Sequence, residues 1–140
     1  SYGPNCIFAT CHVEIDSQID VLVSHDLIDN IEKACLEELK IFTTIHMDPV
    51  VLNDPYQDEV KHQVLSCLKD FSFPCSIHDF RIVKGPTHTN IVFDLLVPMN
   101  EKLTDTQIKN MLVARIKLIN ENFFAYTTID RDYTNHLISK

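Results

Sequence analysis

The sequence predicts an α+β fold, two tandem two-layer sandwiches in the order β-α-β-α-β-β-α-β. Three observations point there. Several stretches of roughly ten residues alternate apolar and polar side chains, as half-buried strands do. Between them lie segments whose apolar residues recur at spacings of three and four, the helical period. Two strong helix starts, Asp54-Pro55-Tyr56-Gln57 and Thr104 with Gln107, fix where the second and third helices begin.

Residues 6–15, CIFATCHVEI, form the first strand, with Ile7, Ala9, Cys11, Val13 and Ile15 on one face and Phe8, Thr10, His12 and Glu14 on the other. Asp20 is placed to cap a helix running from Val21 to Leu39. Its apolar stripe is Leu27, Ile28, Ile31, Ala34, Cys35 and Leu39, and His25 and Asp29, four apart, share a face. The second strand, Ile41 to Val50, sends Ile41, Thr43, Ile45 and Met47 one way and Phe42, Thr44, His46 and Asp48 the other, with Pro49 closing it.

The second helix extends to about Asp70 along Val60, Val64, Leu68 and Phe71. Strands 75–83 and 90–98 flank Gly85-Pro86 and read as a hairpin. The third helix follows Ile108, Met111, Leu112, Ile116 and Ile119, and residues 122–131 make the last strand. A right-handed crossover makes the strands of each β-α-β pair parallel neighbours, which is the ferredoxin-like arrangement. The expected organisation is a first unit over 1–53 that lacks its leading strand, a second over 54–134, and a tail over 135–140.

The two units look like copies. Phe42-Thr43-Thr44-Ile45-His46-Met47-Asp48 matches Tyr126-Thr127-Thr128-Ile129-Asp130-Arg131-Asp132 at an offset of 84, while Gly3-Pro4 matches Gly85-Pro86 at an offset of 82. On that alignment His12 meets Asp94, His25 meets Gln107, and His46 and Asp48 meet Asp130 and Asp132.

Composition excludes several functions. The 140 residues are 45% hydrophobic and 23% charged, ordinary for a globular chain. A net charge of −8 opposes nucleic acid and anionic lipid. Cys6, Cys11, Cys35, Cys67 and Cys75 form no C-x-x-C pair and sit among apolar residues, so they are expected as reduced thiols, with Cys11 in the core. No apolar run is long enough to span a bilayer. Gly3 and Gly85 are the only glycines, so no phosphate-cradling loop exists, and no nucleophile elbow or H-E-x-x-H is present. An enzyme is not expected.

The chemistry concentrates in His12, His25, His46 and Asp48. Imidazole nitrogens with one carboxylate oxygen suit Zn²⁺ first, and also Mn²⁺, Co²⁺, Ni²⁺ or Fe²⁺. Asp29 and Glu14 are candidates to accept from the imidazole N–H groups, while His62, His88 and His136 are expected on the surface. The second copy offers a harder, oxygen-rich set, His78, Asp94, Asp130 and Asp132, better matched to Mg²⁺, Ca²⁺ or Mn²⁺ if it binds at all.

Tyr2-Gly3-Pro4, His12-Val13-Glu14-Ile15-Asp16, Ser24-His25-Asp26-Leu27-Ile28-Asp29-Asn30-Ile31-Glu32 and Ile45-His46-Met47-Asp48-Pro49 resemble the cytoplasmic C-terminal domain of cation diffusion facilitators, the zinc and cation efflux family. His78-Asp79-Phe80-Arg81 and Gly85-Pro86-Thr87-His88-Thr89-Asn90 are similar to the same family. The resemblance implies a metallochaperone-like fold and a metal-binding, dimerising domain at the cytoplasmic face of the membrane. It also implies a transmembrane partner domain, absent from this chain, in the same transporter. It implies His12, His25, His46 and Asp48 as ligands near a homodimer interface, with metal drawing the two domains together. The family's earlier strand, with its His-Asp pair, would fall before Ser1; the second copy keeps that pair at His78-Asp79. Two other functions fit the sequence: a metal-independent homodimerisation module using an open sheet face with Phe8, Phe42 and Phe124, and a small-molecule-binding regulatory domain.

Overall fold

The computed structural model describes residues 6–134. Tyr2, the Gly3-Pro4 pair, His136 and the expected tail lie outside them. The chain divides into two compact units, 1–53 and 54–140.

The first unit is β1 (Ile7–Asp16), α1 (Val21–Ala34), a π-helical turn (Cys35–Leu39) and β2 (Ile41–Val50). Asp20 caps α1 as expected, its carboxylate accepting from the Leu22 and Val23 N–H groups. The helical path ends at Lys40, which takes a left-handed conformation at φ 59°. β1 and β2 pair in parallel, each β1 residue opposite the β2 residue 34 positions later, so that His12 faces His46. Pro49 does not close β2 but sits within it, opposite Ile15, where a missing N–H on the strand's outer side costs no ladder bond.

Burial in this unit is thin. Ile15 and Ile45 are its only buried hydrophobics among the described residues, joined by Ser24, whose hydroxyl donates to the Asp20 carbonyl. The buried edge of α1 is Ile28, Ile31 and Cys35, each half-buried; Leu27 and Leu39, expected in the stripe, are exposed. Cys11, expected in the core, is exposed as well. Alternation turns it to the helix side of β1 as predicted, but α1 lies against β2, and Cys11 is left exposed among the described residues.

The second unit is α2 (Pro55–Leu68), β3 (Ser76–Lys84), β4 (Thr89–Pro98), α3 (Asp105–Ile119) and β5 (Phe123–Asp132). β4 lies between an antiparallel β3 and a parallel β5. Both sheets are layered with helices in α+β units consistent with the ferredoxin-like arrangement. Among the described residues fourteen buried hydrophobics form one core here, from Val60, Val64 and Leu68 of α2, through Ile91, Phe93, Leu95 and Val97 of β4, to Ile108, Leu112 and Ile116 of α3. Thr104 and Gln107 form the reciprocal capping box that the sequence announces. Gln57 does not close a box on α2; its side-chain oxygen accepts from the Ile82 N–H of β3, fastening helix to sheet.

The registers refine the repeat. β5 pairs with β4 at the same 34-residue separation that relates β2 to β1. The two residues added to the β4–α3 connection are therefore offset by two fewer between the α3 cap and β5. Strand for strand the offset is 82 throughout: Cys11 matches Phe93, His12 matches Asp94, His46 matches Thr128, and Asp48 matches Asp130. The pairing of His46 with Asp130 and of Asp48 with Asp132 does not hold in the sheet.

Candidate functional site

A parallel ladder with period-two side chains decides the geometry of the first unit. Ile15 and Ile45 face α1, so the even-numbered positions of both strands point from the opposite, open face. On that face the Phe8 and Phe42 rings stack at 5.3 Å between centroids. Four residues along, the His12 and His46 rings stack at 5.1 Å with 21° between their planes. Asp48, two positions beyond His46, reaches diagonally to His12, its Oδ2 lying 3.1 Å from His12 Nδ1.

That last contact assigns a role. A carboxylate can only accept, so Nδ1 of His12 carries the proton of the bond. In the neutral ring the lone pair then lies on Nε2, the nitrogen a metal ion takes. The imidazole is 61% exposed and the Asp48 carboxylate 22%, so the ring is held at its root and open at its tip. Two imidazoles and a carboxylate on one face are a donor set that fits a divalent transition metal rather than Mg²⁺ or Ca²⁺.

His25 is not part of this group. It stands on α1, on the helix layer, where it contributes to the field that holds the Asp29 carboxyl below its usual value, behind the larger effect of the Lys33 hydrogen bond. Among the described residues no three His, Cys, Asp or Glu side chains close in far enough to hold a metal ion. The structure thus brings together His12, His46 and Asp48 and leaves His25 apart. Asp29 accepts from Lys33 Nζ at 2.6 Å and not from an imidazole.

In the second unit His78 lies opposite Asp94 across the β3–β4 ladder, and Asp130 holds the same diagonal to Asp94 that Asp48 holds to His12. Thr128 stands where His46 would be, so the row has one imidazole. Ser76 Oγ lies 3.0 Å from His78 Nε2. A bulge between His78 and Arg81, with Asp79 at φ 51°, breaks the ladder beside it. Asp132 is buried and accepts from the N–H and hydroxyl of Thr134, so it serves the turn after β5 rather than an open site.

Two polar anchors escaped the sequence reading. Glu32 sends its carboxylate to the Ile45 N–H at 2.8 Å, tying α1 to β2; its position beside Ile28 and Ile31 was the available signal. Arg131 donates to the Glu101 and Leu103 carbonyls and to the Asp105 carboxylate, locking the loop before α3 onto β5. No spacing rule points to that set, because its acceptors are mostly main-chain.

The family model described as the cytoplasmic domain of cation efflux proteins matches residues 2–50, a span that includes both strands of the His12–His46 ladder. Over that span the first unit is similar to a cation efflux cytoplasmic domain. No curated protein matches the chain, and no solved structure matches it. No helix among the described residues is long and apolar enough to cross a membrane.

Proposed function

We propose that the chain is a metal-responsive regulatory and dimerisation domain of a divalent cation efflux transporter, set at the cytoplasmic face of the membrane below a transmembrane domain. The observation that carries this reading is the direct opposition of His12 and His46 on adjacent parallel strands, with Asp48 orienting His12. His12, through Nε2, and His46 are the residues that would hold the ion, with Asp48 fixing the His12 ring from its Nδ1; Zn²⁺ is the best match to imidazole nitrogens, with Mn²⁺, Co²⁺, Ni²⁺ or Fe²⁺ compatible. A bound ion supplies a cross-link between side chains. Because His25 stands on the other layer, its part in binding is to complete the coordination from a second copy, which makes metal binding and association one event. The family model's own name includes the word dimer, in keeping with that coupling.

The test is thermal unfolding of the chain with Zn²⁺ and with chelator. Zn²⁺ at a hundredfold excess over its dissociation constant adds about 2.7 kcal/mol to the unit that binds it, provided the unfolded chain does not bind. The double change His46→Ala with Asp48→Ala removes the gain. His25→Ala removes metal-dependent association in sedimentation while leaving the chelated protein unchanged. Identical melting curves with and without metal would end this reading and leave the homodimerisation module on the Phe8–Phe42 face, or a small-molecule regulatory domain, in its place.

A further inference from the structure

We infer that Glu32 is a positioning residue for the His12–His46 pair: its carboxylate fixes the β2 backbone at the residue before His46 and ties it to α1. The inference rests on the metal reading above and names the group that holds the second imidazole in place.

The place of Glu32 on its helix is unusual. Aligned at their caps, Asp20 and Thr104, α1 and α3 run 84 residues apart, so Ser24, Ile28 and Glu32 fall on Ile108, Leu112 and Ile116. Those three face the core of the second unit and are buried. α1 thus sets a carboxylate where its counterpart sets an isoleucine, and does so in the unit with the thinner core. A charged group at a core-facing position is costly unless it is hydrogen-bonded. Glu32 meets that condition: its Oε1 accepts from the Ile45 N–H at 2.8 Å in a part-buried contact. Hydrogen bonds to an ionised acceptor are among the stronger kinds.

The ladder shows what this bond holds. β2 pairs with β1 on one side, and β5, its counterpart, is likewise the end strand of its sheet. Two strands alone make a marginal sheet, so a tie from the helix matters more here than in the three-stranded unit. Ile45 turns its side chain to α1 and gives its N–H to Glu32. His46 comes next, and its ring leaves the opposite face to stack on His12 at 5.1 Å. A shared ion needs such rings held to within about 0.5 Å of the productive geometry. Asp48 orients His12 from its Nδ1; Glu32 does the corresponding work for His46 through the main chain.

Both arms of the test use the whole chain. In chelator, contacts between the His12 and His46 ring protons are read by nuclear Overhauser spectroscopy, together with amide exchange at Ile45. The native chain is compared with Glu32→Gln, which keeps an acceptor oxygen, and with Glu32→Ile, which supplies the residue of the matched place in α3 and no acceptor. Ring contacts and a slow Ile45 amide are expected in the native chain and in Glu32→Gln, and their loss is expected in Glu32→Ile. In the second arm Zn²⁺ is titrated against a competing chelator. Glu32→Ile should bind about 10–100-fold more weakly, the range for losing a group that orients a ligand, with Glu32→Gln near native. Unchanged ring contacts in Glu32→Ile, a Zn²⁺ affinity that survives their loss, or a Glu32→Gln chain as impaired as Glu32→Ile would overturn the proposal. So would a Glu32→Ile chain whose first unit no longer folds, since that assigns Glu32 to the fold at large. A native chain that takes up no Zn²⁺, but whose ring contacts respond as expected, would end the metal reading and leave the positioning role standing.

Discussion

Cys11 and Phe93 hold the same place in two copies of one strand, and one is exposed while the other is 1% exposed. The second unit covers its β4 with α2 and α3; the first has a single helix, which leans on β2. Among the described residues the shorter unit consequently shows thirteen exposed large hydrophobics against six in the longer one. At about 1.5–3 kcal/mol for each large apolar side chain fully buried, two buried isoleucines are a slender basis for an independent fold. Metal capture and association with a second copy, the functions proposed for it, would each add stability from outside the unit.

The largest expected effect tests that contrast at the matched position. Phe93→Ala should cost about 3–5 kcal/mol, read as a loss of stability of the second unit in urea unfolding. Cys11→Ala should fall within about ±0.5 kcal/mol in the chelated protein. If Cys11→Ala is as damaging as a core truncation, something covers the helix side of β1 and the contrast fails.

Arg131 gives the next test. Its guanidinium, 18% exposed, donates to two carbonyls and to Asp105, and the first unit has Pro49 at the matching place. Arg131→Met leaves those carbonyls to find water and should cost about 1–3 kcal/mol, with the 99–104 loop exchanging its amides faster. Exchange unchanged in that loop would mean that the loop is held by the Thr104 capping box alone.

How much of this was legible follows from what each signal reports. Alternation reports direction, so it put His12, His46 and Asp48 on one face correctly and turned Cys11 away from them. It does not report cover, so Cys11, Leu27 and Leu39 were expected to be buried and are exposed. Helix starts were readable because a cap is a local bargain among four residues, as at Thr104 and Asp54. The exchange between the two loops that keeps the 34-residue register was not readable, since two compensating changes leave no mark on either strand. Asp132 aligned with a ligand by letter, but Thr134, two residues on, had already claimed its carboxylate.

The caps themselves should be nearly equal in isolation and unequal in consequence. Asp20→Ala and Thr104→Ala each remove a side-chain acceptor from a helix N-terminus, worth about 1 kcal/mol. In the second unit α3 remains pinned by Ile108, Leu112 and Ile116, all fully buried, so the loss should appear only as lowered global stability. In the first unit α1 buries Ser24 but no apolar side chain, so Asp20→Ala should also fray the 21–27 segment, visible as faster amide exchange there. Equal fraying in both would show that α1 is packed as firmly as α3.

The smallest effect concerns two ion pairs that differ in their surroundings. Asp29 and Lys33 meet at 2.6 Å on the surface of α1, with side chains 43% and 64% exposed. Lys84 reaches Asp54 at 2.7 Å and also lies 4.2 Å over the Tyr56 ring, and the Asp54 side chain is only 12% exposed. In each pair the lysine hydrogen bond holds the aspartate below its usual value. A carboxyl with a lowered folded value adds stability above its unfolded value and loses it as pH falls through the folded one, so both contacts should weaken in acid, below about pH 4. The Lys33 ammonium is raised, and its share is present at neutral pH and lost only as pH climbs past the ordinary lysine range. Salt should separate the pairs, because water and ions surround one and largely miss the other's carboxylate. In 0.5 M NaCl the difference between the native chain and Lys33→Met should vanish, while Lys84→Met should still flatten the acid dependence of the second unit, where Asp54 also caps α2. An equal loss of both effects in salt would mean that the better-packed unit shelters its surface pair no more than the thin one does.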